Sequence, residues 1–249
     1  MLAAAVPAFL VALSSAHSQA TAFFELAKTG TPQQIQAAIS QGVDLAIQDE
    51  TGATALMWAS YANPNPLVIS TFLKAGADLN AVDEKDANAL MYAAVANRNP
   101  EAVTTLLKAG ADVNARAKSD FTALMAAAIS NQNPEVITRL LKAGALIEAR
   151  DEDGMTALMY AAGSNRNPRV TATLLKSGAV LMARDKVGMT ALMYAAKGNT
   201  NPEVIRVLLN AGANGKAQDR EGKTAFDYAL GNERLKGTDA LRRLEEASK

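Results

Sequence analysis

The segment Asp151-Glu152-Asp153-Gly154-Met155-Thr156-Ala157-Leu158-Met159-Tyr160-Ala161-Ala162 decides the architecture, because close copies of it recur at one fixed interval. Thr156-Ala157-Leu158 returns as Thr54-Ala55-Leu56, Thr122-Ala123-Leu124 and Thr190-Ala191-Leu192. Asn88-Ala89-Leu90 and Thr224-Ala225-Phe226 fill the remaining slots, every step being 34 residues. Gly42, Gly76, Gly110, Gly144, Gly178 and Gly212 keep the same step, and so do Pro66, Pro100, Pro134, Pro168 and Pro202. A fixed period of roughly 20 to 50 residues is the mark of stacked units that cannot bury their apolar faces alone.

Within one period the signals read helix, loop, helix, turn. Thr156 is placed to cap a first helix, its side-chain oxygen accepting a backbone N–H. Ala157, Leu158, Met159, Ala161 and Ala162 follow as a short apolar helix whose alanines let a neighbour approach closely. Asn165, with Asn63, Asn97, Asn131 and Asn199, marks the break, a residue type suited to left-handed backbone just past a helix end. Asn167-Pro168 and its four counterparts then supply an N-cap and a first-turn proline. Apolar residues at helical spacing, such as Val136, Ile137, Leu140 and Leu141, make the second helix. Lysines such as Lys142 suit its last turn, and glycine two residues later ends it.

These residues resemble the ankyrin repeat, whose pattern runs D-x-x-G-x-T-P-L-H-x-A-A, a loop, a Leu-rich second helix, then G-A-D-x-N-A. Here it stands as Asp49-Glu50-Thr51-Gly52-Ala53-Thr54-Ala55-Leu56-Met57-Trp58-Ala59 and as Leu106-Leu107-Lys108-Ala109-Gly110-Ala111-Asp112-Val113-Asn114-Ala115. The resemblance implies an all-α repeat solenoid of helix-turn-helix units with short β-hairpin-like turns between repeats. It divides the chain into an N-terminal cap at 21–53, five full repeats at 54–223 and a C-terminal cap at 224–249. The D-x-x-G and G-A-D-x-N segments set it apart from the tetratricopeptide repeat. Two features depart from the family. Its usual period is one residue shorter, a spacing kept here only between Thr21 and Thr54. Its histidine after Leu is replaced by Met57, Met91, Met125, Met159 and Met193. A thioether ladder brings copper to mind, but methionine at a core position serves first as packing.

In the family, fingertips and first-helix surfaces form a concave face for a macromolecular partner. The residue before each capping position is Ala53, Ala87, Phe121, Met155, Met189 and Lys223. Phe121, Met155 and Met189 form either an exposed apolar strip for a partner or side chains folded back on neighbouring repeats. The next ladder is Trp58, Tyr92, Tyr160, Tyr194 and Tyr228, interrupted by Ala126, and is expected to pack between repeats. Phe121 is expected to cover the gap at Ala126. Gly52, Gly154, Gly188 and Gly222 serve four turns, while Asp86 and Asp120 replace glycine in two. Candidate partner-binding residues are therefore Lys85, Asp86, Lys118, Asp120, Phe121, Met155 and Met189, together with Tyr61 on a first helix. The acids Asp151, Glu152 and Asp153 read as solvated turn charges.

Lys plus Arg and Asp plus Glu both number 25, so the chain offers no net positive charge for nucleic acid. It has no cysteine, which removes thiolate metal sites, disulfides and cysteine nucleophiles. Leu2 to Leu13 is apolar and is followed by small, polar residues to Ala20, which resembles a secretory signal without a basic start. The competing reading is a frayed or docked N-terminal helix. Removal of residues 1–20 would take the single histidine, His17, and with it the usual general base. No second stretch is long enough to span a bilayer. The expectation is a non-catalytic, monomeric scaffold for a protein partner, periplasmic or secreted, without metal, cofactor or stable membrane insertion. A regulator or protector of an enzyme in the same compartment is the second reading, and a small-ligand protein or enzyme the third.

Overall fold

The computed structural model describes residues 16–249, and the apolar run Leu2 to Leu13 lies outside the described residues. Helices come in pairs, as the period requires. First helices are α1 (Ala16–Thr29), α3 (Ala55–Ala62), α5 (Ala89–Ala96), α7 (Ala123–Ser130), α9 (Ala157–Ser164), α11 (Ala191–Gly198) and α13 (Ala225–Ala229). Second helices are α2 (Pro32–Ser40), α4 (Pro66–Lys74), α6 (Pro100–Lys108), α8 (Pro134–Lys142), α10 (Pro168–Lys176), α12 (Pro202–Asn210) and α14 (Asp239–Ser248). The chain divides into two compact units, the first ending at Lys118 and the second running from Ser119 to Lys249. Each is an all-α stack of helix-turn-helix repeats, the solenoid class. Among the described residues there is no β-sheet; an isolated antiparallel bridge joins Gln48 and Thr54 in one narrow turn.

The caps fall where the sequence puts them. Thr54, Asn88, Thr122 and Thr190 accept the N–H three residues on, and Asn65, Asn99, Asn133, Asn167 and Asn201 accept the N–H two residues on. Thr156 departs from expectation: it stands at the N-cap, but its Oγ1 is buried without a partner. Gly76 and Gly144 end α4 and α8 at φ +92° and +93°, backbone that a β-carbon would strain. The C-terminal helix starts at Asp239, capped by Thr238, with Leu244 buried and Arg242 and Glu246 exposed. That polar outer face is what a terminal repeat needs.

First helices meet through alanine. Ala59, Ala93 and Ala94 in the first unit, and Ala161, Ala162, Ala195 and Ala196 in the second, are fully buried. Second helices contribute branched chains, such as Val136, Ile137, Leu140, Val170 and Leu174, also fully buried. Truncating one such Leu to Ala would cost about 2–5 kcal/mol. At the N-terminal end Phe23 and Phe72 meet edge to face at 5.8 Å between centroids. The five methionines are all buried, and Met57 and Met193 each take the Thr N–H of their own cap on sulfur at 3.4 Å. They are packing residues that retain a trace of the polar link a histidine would make.

Three local expectations are corrected. The asparagines past the first helices are not left-handed: Asn63, Asn97, Asn165 and Asn199 have φ between −69° and −79° with extended ψ. Their amides instead reach back one repeat. Asn199 Nδ2 donates to Ala162 O at 2.7 Å and Asn165 O at 2.9 Å, while its Oδ1 accepts from Asn201 N at 2.8 Å. Asn97 does the same with Ser60 O and Asn63 O at 2.8 and 3.0 Å. Secondly, Asp151 is not solvated; it is 9% exposed, whereas Glu152 and Asp153 are exposed. Thirdly, α1 is already helical at Ala16, ahead of Thr21, so the last residues of the signal-like segment belong to the helix. From Ser18 to Thr21 no side chain is buried; burial begins at Ala22.

Candidate functional site

The site is built on a carboxylate that, in five of the turns, holds the fingertip to the first helix behind it. Asp49 Oδ1 accepts the N–H groups of Thr51 and Ala53 at 2.8 and 3.0 Å, and Oδ2 accepts Trp58 Nε1–H at 2.7 Å. Asp83 repeats this with Lys85 N, Ala87 N and the Tyr92 hydroxyl, at 2.8, 2.9 and 2.8 Å. In the second unit Asp151 takes Tyr160, Asp185 takes Tyr194 at 2.5 Å and Asp219 takes Tyr228. One oxygen thus fixes the turn and the other orients the ring, a charge-assisted arrangement.

The electrostatics follow from these bonds. Burial pushes the Asp49 carboxyl up, but hydrogen bonds from Thr51, Trp58 and Ala53 outweigh it and hold the group below the usual range. Asp219 is likewise held low, burial being outweighed by the bonds from Tyr228, Lys223 and Glu221. Burial, followed by the carboxylate each one faces, raises Tyr92, Tyr160 and Tyr194 far above an ordinary phenol. Tyr228, mainly through its bond to Asp219, is pushed up to about 12.

In the first unit this ladder opens into an aromatic cluster. Trp58, Tyr61 and Tyr92 meet edge to face in a triangle, with centroid separations of 5.7, 5.9 and 6.3 Å. Tyr61 is 39% exposed. Lys28 Nζ lies 4.1 Å from the Trp58 ring centroid, close enough for cation–π attraction, and pairs with Glu25 at 2.7 Å. Hollows of about 650 Å³ each reach both ends of the cluster. One is lined by Phe24, Lys28, Asp49 and Trp58. The other is lined by Tyr61, Pro64, Arg98 and Asn99.

Lys85, Asp86 and Lys118 are exposed on successive fingertips of the first unit, and Lys118 N donates to Lys85 O at 2.9 Å. Asp86 adopts φ +59° in place of glycine. Asp120 is also exposed and left-handed, at φ +61°, beside Ser119 at +59°. Of the two readings of the strip, burial favours the second: Met189 is 4% exposed, and Phe121 and Met155 are half-buried, so these side chains fold back. The buried Met189 also donates its backbone N–H to Asp185 Oδ1 of its own turn at 2.8 Å. Phe121 meets Tyr160 of the following repeat edge to face at 5.5 Å, giving that tyrosine an aromatic neighbour where Ala126 offers none. The carboxylate ladder escaped the sequence reading, although its signal was present: an aspartate stands nine residues before each aromatic. Ala117 and Ala126 lack both members together.

Among the described residues, no three His, Cys, Asp or Glu side chains gather to hold a metal ion, and no helix is long and apolar enough to cross a membrane. Family models described as ankyrin repeats in three copies and in many copies match residues 23–117, 116–185 and 181–229. The crystal structure of the human ASB11 ankyrin repeat domain superposes with a TM-score of 0.77 at 23% identity, covering 91% of this chain and 97% of that one. Among curated proteins, none matches the sequence. With family matches spanning most of its length, the chain belongs to the ankyrin-repeat family.

Proposed function

We propose that the protein is a non-catalytic scaffold that binds another protein on its fingertip and first-helix face, centred on Trp58, Tyr61 and Tyr92. The observation that carries this is the aromatic triangle, in which Tyr61 is exposed and Trp58 and Tyr92 are half-buried. Clustered Trp and Tyr with polar handles are the side chains that anchor protein interfaces, and a rigidly held ring loses little entropy on binding. Lys85, Asp86 and Lys118 supply a charged rim on fingertips of the same unit. On the second unit, taken by itself, Asp120, Phe121 and Met155 stand at the corresponding fingertip positions, with Met189 buried at the next.

Export completes the proposal, with cleavage after Ala20. All the buried residues of α1 from Ala22 onward then stay with the mature chain, and Ser18, Gln19 and Ala20, which would leave it, are exposed or half-exposed. The partner is a periplasmic or extracellular protein, and regulation of an enzyme in that compartment is one form the function would take.

The test places a photo-crosslinking amino acid at Tyr61 and, in a separate variant, at Leu67, which is exposed on a second helix. Cross-linking in the native compartment is expected to give one discrete adduct from position 61 and none from 67. Equal or absent capture at both positions would remove the first-helix face as the binding surface.

A further inference from the structure

The loops joining first to second helices lie on the edge away from the fingertips, and in the second unit two of them each contribute an arginine to one pocket. Arg166, Thr200 and Arg234 occupy the same slot of three successive loops, 34 residues apart. Together with Asn201 they line a pocket of about 320 Å³. Both arginines and Thr200 are exposed. Among the described residues neither guanidinium has an acidic partner. The nearby acids are engaged elsewhere, Glu203 with Arg206 and Glu233 with Lys236 at 2.7 Å. Asn201 is locked, its Nδ2 on Arg166 O at 2.7 Å and its Oδ1 on Glu203 N at 3.0 Å. The backbone under the pocket is therefore rigid and donates nothing further through that side chain.

A second observation runs the same way. The residue after the first-turn proline is Glu101, Glu135 and Glu203 in α6, α8 and α12, Gln33 and Leu67 in α2 and α4, but Arg169 in α10. Acids suit the positive end of a helix, and a cation there is unfavourable. The chain thus concentrates positive charge beside Arg166 where local helix stability would favour the opposite.

We infer that Arg166, Arg234 and the Thr200 hydroxyl form a binding site for a phosphate-type oxyanion, distinct from the aromatic face. Two guanidinium forks match tetrahedral oxyanion geometry, which one ammonium cannot do, and the threonine hydroxyl donates a further hydrogen bond.

The probe is inorganic phosphate, titrated into the full chain at low constant ionic strength, because exposed charges are screened by salt. Arginine Nε–Hε signals are followed by NMR. Saturable shifts at Arg166 and Arg234 are expected, with Arg242 unmoved. Arg166→Gln and Arg234→Gln should each weaken binding about tenfold at unchanged thermal midpoint. Arg166→Lys, which keeps the charge and loses the fork, should weaken it as well. Sedimentation with vesicles of phosphatidic acid in phosphatidylcholine separates the sources. Sedimentation of the parent chain but not of the Gln variants assigns the anion to a lipid headgroup. Its absence, with saturable phosphate shifts, assigns a soluble ligand. Non-saturating shifts shared by all arginines, or Gln variants that bind as the parent does, would overturn the site.

Discussion

Two ladders run through the repeats, one at each end of the first helices, and they tolerate change differently. The asparagine ladder at Asn63, Asn97, Asn131, Asn165 and Asn199 is kept in every repeat and is almost wholly buried. Asn97 and Asn199 each serve two carbonyls of the repeat before and an N–H of their own loop. The aromatic ladder is half-buried and breaks once, at Ala126, with Phe121 supplying the contact instead. A buried amide removed would leave several polar groups without water, whereas a half-exposed phenol can be replaced by another ring. The first ladder is therefore structural, and the second is free to carry recognition.

The largest expected effect breaks the asparagine ladder. Asn165→Ala would orphan Ala128 O, Asn131 O and Asn167 N, and urea unfolding should show a loss of about 3 kcal/mol. On the other ladder Tyr194→Phe removes only the bond to Asp185, for about 1.5 kcal/mol. Phe121→Ala should lower stability by about 1 kcal/mol, largely through the lost contact with Tyr160. An unchanged midpoint there would refute its gap-filling role.

Alkali should act on the same ladder. A phenol whose folded pKa is raised contributes stability that is fully present below its unfolded value near 10 and fades as pH climbs. For Tyr228 that window runs from about 10 to about 12. Thermal melts across this range should fall for the parent and less steeply for Tyr228→Phe. The smallest effect is a gain: Asp86→Gly relieves a left-handed aspartate and should stabilise by about 0.5–1 kcal/mol.

Much of this fold is legible in the residues, because its signals are local. Thr and Asn caps, first-turn prolines and terminal glycines act within four residues of themselves, and the helix starts at Ala55, Pro66 and Pro134 follow from them. What escaped is long-range or depends on how a side chain turns. The acceptors of Asn199 lie 34 and 37 residues earlier, so its type alone suggested a left-handed stop. Asp151 reads locally as a turn charge, whereas Tyr160, nine residues on, donates its hydroxyl to it. Met155 and Met189 hold equivalent positions, and only packing distinguishes the half-buried one from the buried one. Tyr61 is legible as a first-helix aromatic, but its edge contacts with Trp58 and Tyr92 need three dimensions.

Trp58 is the only tryptophan in the chain and sits in the proposed anchor cluster, so it reports on the interface without any label. Titrating the purified mature chain with the protein cross-linked through position 61, and following Trp58 emission, is the most direct measurement. A saturable blue shift that disappears in Tyr61→Ala, at an unchanged unfolding midpoint, is the predicted result. Binding that leaves the Trp58 spectrum as it was would contradict the account.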